Sequence, residues 1–226
     1  MVKDLNKKLS EGIEKLMDKL EIISKLKEEK IVAVVRSETK EQGEKIIDSI
    51  VKGGINFIEI TMTVPGAVDI IKDLSEKYKS NPNIILGAGT VLDSETARMV
   101  MLAGAKFIVS PSLNIETVKM CNRYRVPIIP GVITVNEAIE ALELGVDILK
   151  IFPANVFEPN IIKTFKGPLP QACFMPTGGV SVENAHEWIK NGAIAIGTGS
   201  NLTEGAKRGD YESITKIAQE FVKAVK

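Results

Sequence analysis

Eight short apolar runs recur along this 226-residue chain, and their spacing constrains the fold more than any other feature. Their starts lie 20 to 27 residues apart, which leaves room for one strand, one helix and two short loops in each interval. Most runs are apolar on both faces, as is typical of parallel strands that are covered by helices. The runs are residues 31–36, 57–62, 84–90, 107–111, 127–131, 148–153, 173–178 and 193–199.

The segments between the runs carry helix start and stop signals. Thr39, Thr134 and Ser181 each precede an amphipathic stretch, and glycines follow these stretches, which is the usual order of N-cap and C-terminal residues. Eight strand–helix units in about 200 residues predict an α/β fold of the (β/α)8 barrel type. A doubly wound open sheet is the alternative, but no G-x-G-x-x-G follows the first run and no Walker A loop is present.

A lead-in segment precedes the first run. Between residues 4 and 29, leucines and isoleucines recur at helical spacing among lysines and glutamates. This pattern predicts an N-terminal helix, and we expect it to pack on the barrel rather than to form a coiled-coil arm. Residues 1–226 are then one domain, because α/β barrels of this size occur as single units.

Composition and charge exclude several classes of function. The 29 basic residues balance 29 acidic ones, so neither nucleic acid nor an anionic membrane is an expected partner. No apolar run is long enough for a membrane span, and the N-terminus lacks a signal-peptide core. Cys121 and Cys173 lack metal-ligand spacing, which indicates reduced cysteines in a cytoplasmic protein. A lone histidine, His186, argues against a histidine-built zinc site or a Ser-His-Asp triad, so we expect no metal.

Lys150 is the one charged residue at an interior position of the sixth run. In a strand, Ile148, Lys150 and Phe152 point to one face. Lysine is almost never fully buried without a partner or a task. Burial lowers its pKa towards neutrality, and the neutral amine is the form that attacks a carbonyl. The alternative is a lysine at a strand end that buries its stem and leaves its ammonium group in water.

Polar residues cluster at the ends of the runs, where a barrel carries its function. Glu59, Thr61 and Thr63 fall on one face of the second run. Because alternate barrel strands share a side-chain layer, Glu59 and Lys150 are expected to meet across the lumen, with a buried salt bridge as the alternative. The further candidate substrate contacts at the ends of the runs are Arg36, Thr90, Pro111, Phe152 and Thr177.

Two glycine-rich turns follow the last two runs: the PTGGV loop, residues 176–180, and the GTGS loop, residues 197–200. Many barrels bind phosphate through backbone N–H groups at this pair of positions. Gly178, Gly179, Gly199 and Ser200 are therefore candidate phosphate ligands. The alternative is that both loops are merely tight turns.

An ordered set of motifs resembles the 2-keto-3-deoxy-6-phosphogluconate (KDPG) and 2-keto-4-hydroxyglutarate (KHG) aldolases. The resemblance extends from about Glu29 to Lys226. It implies a class I pyruvate aldolase that needs no metal or cofactor, with a (β/α)8 barrel and usually a homotrimer. The motifs are F-I-E-I-T (57–61), G-A-G-T-V (87–91), S-P-S-L (110–113), I-P-G (129–131), L-K-I-F-P-A (149–154) and P-T-G-G-V (176–180).

The resemblance also implies residue roles. Lys150 resembles the Schiff-base lysine, Glu59 the acid/base and Thr90 a ligand of the pyruvate carboxylate. Gly178, Gly179 and Ser200 resemble the phosphate-binding set. The chain has Thr63 where many relatives have an arginine that binds the carboxylate, and Arg36 is the candidate replacement.

Two other functions stay open on the sequence alone. One is a phosphate-binding barrel isomerase or synthase that uses acid/base chemistry without a Schiff base. The other is a catalytically idle barrel that serves as an assembly scaffold. Lys150 flanked by Ile151 and Phe152 favours the aldolase, and an assembly role does not require Glu59, Lys150 and both glycine loops together.

Overall fold

The computed structural model of the protein describes residues 18–226, in which parallel strands form a ring surrounded by helices. Every predicted run contains a strand, so the (β/α)8 prediction is confirmed. The strands are β1 (Ile31–Val35), β2 (Phe57–Thr61), β3 (Ile85–Gly89), β4 (Phe107–Val109), β5 (Ile128–Ile129), β6 (Gly131–Val132), β7 (Leu149–Ile151), β8 (Phe174–Pro176) and β9 (Ile196–Thr198).

The fifth run was predicted as one strand, and this detail is wrong. Pro130 divides it into β5 and β6, because proline has no N–H to donate to a neighbouring strand. The Pro130 carbonyl still accepts a 2.9 Å hydrogen bond from the Lys150 N–H, so the chain passes from one sheet into the next at this residue.

The helices lie outside the ring, and those predicted to begin after Thr39, Thr134 and Ser181 have these residues as their N-caps. The Thr39 hydroxyl accepts a hydrogen bond from the Gln42 N–H, and Thr134 forms a capping box with Glu137. The helices are α1 (Lys19–Glu29), α2 (Lys40–Lys52), α3 (Ala67–Lys77), α4 (Ser94–Leu102), α5 (Ile115–Arg123), α6 (Val135–Glu143), α7 (Ile161–Lys166), α8 (Val182–Lys190), α9 (Ser200–Thr203) and α10 (Tyr211–Ala224), with short 3₁₀ segments at Ala154–Val156 and Glu204–Arg208.

Strand pairing closes the ring. One sheet has the order β5-β4-β3-β2-β1-β9 and the other β6-β7-β8, all with parallel neighbours. An isolated bridge between Thr177 and Gly197, together with a 3.0 Å hydrogen bond from the Ile194 N–H to the Phe174 carbonyl, joins β8 to β9. All carboxyl ends of the strands therefore meet at one mouth.

Two apolar clusters divide the core by side-chain direction. Ile58, Ile60, Leu149 and Ile151 belong to the larger cluster, between the strands and the helices. The alternate positions of the strands belong to a smaller cluster inside the ring, whose members from the strands and their flanks are Val32, Phe57, Ile85, Phe107, Val109, Ile129, Ile148, Met175 and Ala195. This alternation places Glu59 and Lys150 on the inner face.

Helix α1 closes the amino-terminal end of the ring. Its buried residues Ile22, Ile23 and Leu26 belong to the inner cluster. Lys19 forms a 2.8 Å ion pair with Asp147, which fixes the start of the helix. The part of the predicted lead-in helix that is described, residues 19–29, is therefore packed on the barrel as expected. Residues 4–17 of that prediction lie outside the described residues, and the single-domain boundary 1–226 stays a prediction.

No helix within residues 18–226 is both long enough and apolar enough to cross a membrane. Cys121 and Cys173 are free thiols; the first is buried and the second partly exposed.

Candidate active site

Lys150 lies in the middle of β7 and points into the barrel. The residue is 5% exposed, and its Nζ lies 4.5 Å from the centroid of the Phe152 ring. Burial lowers the pKa of the Lys150 amine; the Glu59 carboxylate opposes this shift, and the Arg36 charge adds to it. The lysine is therefore not one that reaches out into water, and the neutral amine is accessible at a lower pH than for an exposed lysine.

Glu59 lies in β2 and points into the same space. It is 1% exposed, and its Oε2 has no hydrogen-bond partner among residues 18–226. Burial raises the pKa of the Glu59 carboxyl, while the charges of Lys150 and Arg36 act in the opposite direction. The protonated acid is thus available closer to neutral pH than for an exposed glutamate.

The two side chains influence each other electrostatically without forming a salt bridge. Their opposite pKa shifts both favour the uncharged form, and burial is the largest cause in each case. The unpartnered Oε2 of Glu59 and the position of the Lys150 Nζ over Phe152 are inconsistent with a tight ion pair. The geometry therefore does not support the alternative of a structural salt bridge.

Gly89 makes room for Glu59, and the sequence reasoning missed this role. Gly89 is the last residue of β3, and a Cβ at this position would overlap the Glu59 carboxylate. The sequence shows that Ile85, Gly87 and Gly89 share one face of the third run, but not which side chain fills the space that the glycines leave. Small residues on one strand create the space that the carboxyl group occupies.

Arg36 and Thr63 lie at the mouth, beside the second glycine loop. Together with Ser200 they line a cavity of about 500 Å³. The Arg36 guanidinium is 3.5 Å from the place that a Cβ on Gly199 would take. Arg36 therefore lies close to the GTGS loop, and its charge also acts on the Glu59 carboxyl and the Lys150 amine.

Two threonines that the sequence placed on one strand face differ in position. Thr61 is buried at the end of β2, whereas Thr63 is exposed in the turn after it. Their hydroxyl oxygens are 2.7 Å apart and share a hydrogen bond. The predicted common strand face thus ends at Thr61, and Thr63 is held next to it through its hydroxyl.

Two further candidates lie beyond the ends of β3 and β4. Thr90 adopts the left-handed backbone region with φ 56°, an uncommon conformation for a non-glycine residue. The Pro111 carbonyl packs directly against Gly131, which is the register partner of Lys150. Pro111 is therefore one strand removed from the lysine.

The PTGGV loop follows β8 at the same mouth. Gly178 and Gly179 have φ values of 96° and 73°, which side chains with a Cβ rarely adopt. The hydroxyl of Thr177 is buried without a hydrogen-bond partner among the described residues. This loop combines a backbone that only glycine accommodates easily with an unused hydroxyl group.

The GTGS loop connects β9 to α9. Gly199 is partly exposed and Ser200 is exposed, so the Ser200 hydroxyl is accessible from the mouth. Within residues 18–226, no group of three or more His, Cys, Asp or Glu side chains is arranged to hold a metal ion.

Comparisons with known proteins match most of this chain. The family model described as KDPG and KHG aldolase matches residues 22–217. The KHG/KDPG aldolase of Escherichia coli K12 is 33% identical over 202 residues, which cover 87% of this chain and 92% of that protein.

Two solved structures are similar in fold and sequence. A KDPG aldolase from Legionella pneumophila, with pyruvate captured at low pH as a covalent carbinolamine intermediate, is 28% identical with a TM-score of 0.79 and covers 87% of this chain and 95% of that one. A chain of a cube-shaped, highly porous cage, designed by fusing symmetric oligomeric domains, is 31% identical with a TM-score of 0.79 and covers 86% of this chain and 71% of that one.

Proposed function

This chain belongs to the KDPG and KHG aldolase family, and we propose that Lys150 and Glu59 carry out its reaction. The substrate is 2-keto-3-deoxy-6-phosphogluconate or 2-keto-4-hydroxyglutarate, cleaved reversibly to pyruvate and glyceraldehyde 3-phosphate or glyoxylate. The observation that carries the proposal is the pair of buried side chains at the mouth. Burial raises the pKa of Glu59 and lowers that of Lys150, so the uncharged form of each is favoured.

Lys150 is the nucleophile. Its neutral Nζ attacks the C2 carbonyl of the keto acid and forms a carbinolamine, which loses water to give an iminium ion. The electron pair of the C3–C4 bond then moves into the iminium, so the aldehyde leaves and an enamine remains. Protonation of the enamine at C3 and hydrolysis of the resulting iminium release pyruvate and restore the free amine.

Glu59 is the acid and base for these steps. In its protonated form it donates a proton to the departing carbinolamine oxygen, which leaves as water. As a carboxylate it then accepts the proton of the C4 hydroxyl while the C3–C4 bond breaks. The raised pKa suits the acid role, because burial keeps the carboxyl protonated to a higher pH than in an exposed glutamate.

The substrate's two ends bind at different parts of the mouth. Arg36, Thr61, Thr63 and Thr90 are the candidates for the pyruvate carboxylate, and Arg36 supplies the positive charge in place of the arginine that this chain lacks at Thr63.

The remaining contacts involve the pyruvate unit and the far end of the substrate. Phe152, Pro111 and Thr177 are the candidate contacts of the pyruvate unit, since Phe152 lies beside the Lys150 amine and the Thr177 hydroxyl has no partner among the described residues. Phosphate binds to the glycine loops through Gly178, Gly179, Gly199 and Ser200. The reaction uses no cofactor.

Trapping with pyruvate and borohydride tests the chemistry. Borohydride reduces an iminium to a stable secondary amine, so one peptide should gain the mass of the reduced pyruvate adduct. We expect that peptide to contain Lys150 and the adduct to be absent from Lys150→Met. Labelling of another lysine in an active protein would overturn the assignment.

We also propose that the protein forms a homotrimer in the cytoplasm. The free thiols are compatible with a reducing compartment. Helices α4, α5 and α6 and the loops before them expose an apolar outer face, and a closed cyclic assembly buries such a face without leaving it open to further growth. Its residues are Leu92, Met99, Leu102, Ile115, Ile133, Val135 and Ile139.

Mass measurement by light scattering tests the assembly. We expect a particle about three times the 24.6 kDa of one chain. Leu102→Glu should shift the mass towards the monomer, because Leu102 is 71% exposed in the single chain. Leu20→Glu is the matched control, since Leu20 is also exposed but lies on α1. A monomeric mass for the unaltered protein would contradict the trimer.

A further inference from the structure

One carbonyl oxygen connects the two glycine loops. The Val180 carbonyl accepts a 3.2 Å hydrogen bond from the Thr198 hydroxyl and a 2.9 Å hydrogen bond from the Asn201 side-chain amide. Val180 ends the PTGGV loop, whereas Thr198 ends β9 and Asn201 lies in α9. Two side chains from one loop region therefore converge on a single acceptor in the other.

The position of these donors along the chain matters. Thr198 and Asn201 immediately flank Gly199 and Ser200, the two candidate phosphate ligands of the GTGS loop. Both ends of this four-residue segment are thus fixed to the same atom of the neighbouring loop. A change in the distance between the loops therefore strains both hydrogen bonds.

The PTGGV loop is also held from its other side. The Asn184 side-chain amide donates a 3.0 Å hydrogen bond to the Gly179 carbonyl, and its oxygen accepts one of 2.9 Å from the Ser181 N–H. Because the peptide unit is planar and trans, a fixed Gly179 carbonyl also fixes the direction of the Val180 N–H. The loop backbone is therefore set by side chains that do not themselves need to touch a ligand.

We propose that Thr198 and Asn201 are positioning residues that hold the two loops at the separation required for a phosphate group. The inference rests on the proposed phosphate site and adds what determines its geometry. A dianion bound by donors from both loops is sensitive to their separation, because charge-assisted hydrogen bonds are short and weaken when their donors are displaced. An unphosphorylated substrate makes no such demand.

Kinetics with two substrates provides the test. Pyruvate release from the phosphorylated six-carbon keto acid and from its unphosphorylated analogue is measured for Thr198→Val, Asn201→Ala and the double variant. Each single change leaves one hydrogen bond to Val180, so we expect KM for the phosphorylated substrate to rise only about 2- to 3-fold. The double variant should raise it by about 10-fold or more, beyond the product of the single effects. KM for the analogue and kcat for both substrates should stay within about twofold.

Asn191→Ala is the matched control. The Asn191 amide donates a 2.8 Å hydrogen bond to the Glu187 carbonyl, the same type of contact at the far end of α8. We expect this variant to change neither substrate's KM. Equal losses on both substrates in the double variant, or a double variant that matches the unaltered protein, would overturn the positioning role.

Binding of inorganic phosphate separates this inference from the proposed reaction. Titration followed by the amide NMR signals of the two loops gives a dissociation constant that does not depend on turnover. We expect it to rise about 10-fold in the double variant and to be unchanged in Asn191→Ala. A protein that releases no pyruvate but shows this rise would refute the proposed reaction and support the positioning role. Phosphate that fails to bind the unaltered protein would overturn the positioning role even if pyruvate is trapped on Lys150.

Discussion

The barrel interior has a lower half, towards the amino-terminal ends of the strands, and an upper half, towards the mouth. The same strands build both halves, but the lower one is apolar and the upper one carries polar and charged groups. In the lower half, Phe57 and Phe107 pack with ring centroids 5.7 Å apart, and both are fully buried. In the upper half, Glu59 and Thr177 each bury a polar oxygen that has no hydrogen-bond partner among the described residues. One half has the properties of a stable core and the other those of a reactive site.

The change from one half to the other takes two residues. Phe57 is followed on the same face by Glu59, and Ile148 is followed by Lys150. Since side chains alternate in a strand, this is the shortest possible step along the inner face. The apolar layer therefore lies directly beneath the reacting groups, and α1 closes it at the amino-terminal end of the ring.

This contrast has an energetic basis. Burying a polar group without a hydrogen bond costs about 1–3 kcal/mol on the scale of protein mutations. The lower layer and the larger sheet–helix cluster supply the favourable burial that offsets this cost. The comparison can be tested by removing one property at a time from each half.

The largest effect is expected from Glu59→Gln, which keeps the shape of the upper half and removes its proton transfer. Catalytic turnover should fall by about 10²–10⁴-fold, the usual range for general acid–base catalysis. Glutamine cannot accept the C4 hydroxyl proton, whereas Lys150 remains able to attack. Stopped assays of pyruvate release give the rate.

Borohydride trapping provides the complementary readout for Glu59→Gln. The iminium at Lys150 should still form, but more slowly than in the unaltered protein. If turnover is unchanged, another group transfers the proton. A variant that loses the Schiff base completely would show that Glu59 is required for the position or ionisation of Lys150.

Phe57→Ala should have the opposite pattern, because it alters the lower half alone. Removal of a fully buried phenylalanine costs about 3–5 kcal/mol of stability, which for a domain of this size lowers the melting temperature by roughly 10 °C. At temperatures at which the variant is still folded, we expect its kcat to be within about twofold of that of the unaltered protein. Calorimetry and steady-state kinetics measure the two quantities.

Phe57→Leu separates a cavity effect from a shape effect. It retains most of the apolar volume and should lose less stability than Phe57→Ala. A large loss of kcat with unchanged stability in either variant would show that the two halves are not separable.

Sequence periodicity predicted the strands and their inward faces because both follow from local chemistry. Apolar runs bounded by caps located the eight barrel strands, and the period of two placed Glu59 and Lys150 on the same side as Phe57 and Ile148. The split of the fifth strand was not predicted, although its cause, a proline without an N–H at position 130, is visible in the sequence.

Other features depend on tertiary contacts that no local pattern contains. The pattern predicted a packed lead-in helix but not that its residues Ile22 and Leu26 would close the barrel, because their partners come from all around the ring. Likewise, the Val180 carbonyl receives donors from residues 18 and 21 positions away. The space that Gly89 leaves for Glu59 can be predicted only when the register of β2 and β3 is known.

The smallest expected effect is a gain in stability from Lys150→Met. This variant tests directly how much stability the protein loses by burying a charged group in the upper half. Methionine keeps a similar length without a charge. A buried amine either keeps its charge away from water or gives up its proton, and both cost stability that an uncharged methionine does not lose. We therefore expect Lys150→Met to melt at a higher temperature at neutral pH, although it has lost its nucleophile.

The pH dependence of this gain identifies its cause. Burial lowers the pKa of Lys150 below its ordinary value of 10.5, so between the folded pKa and 10.5 the unfolded chain binds more protons than the folded one. The stability contributed by Lys150 is thus complete above pH 10.5 and is lost as pH falls through the folded pKa.

Glu59, whose pKa burial raises, contributes stability that is lost as pH rises, so both proteins are compared in a Glu59→Gln background. The advantage of Lys150→Met should then shrink as pH increases towards 10.5. An advantage that is constant with pH would assign the gain to packing, and no advantage at any pH would show that the amine is hydrated in the folded protein.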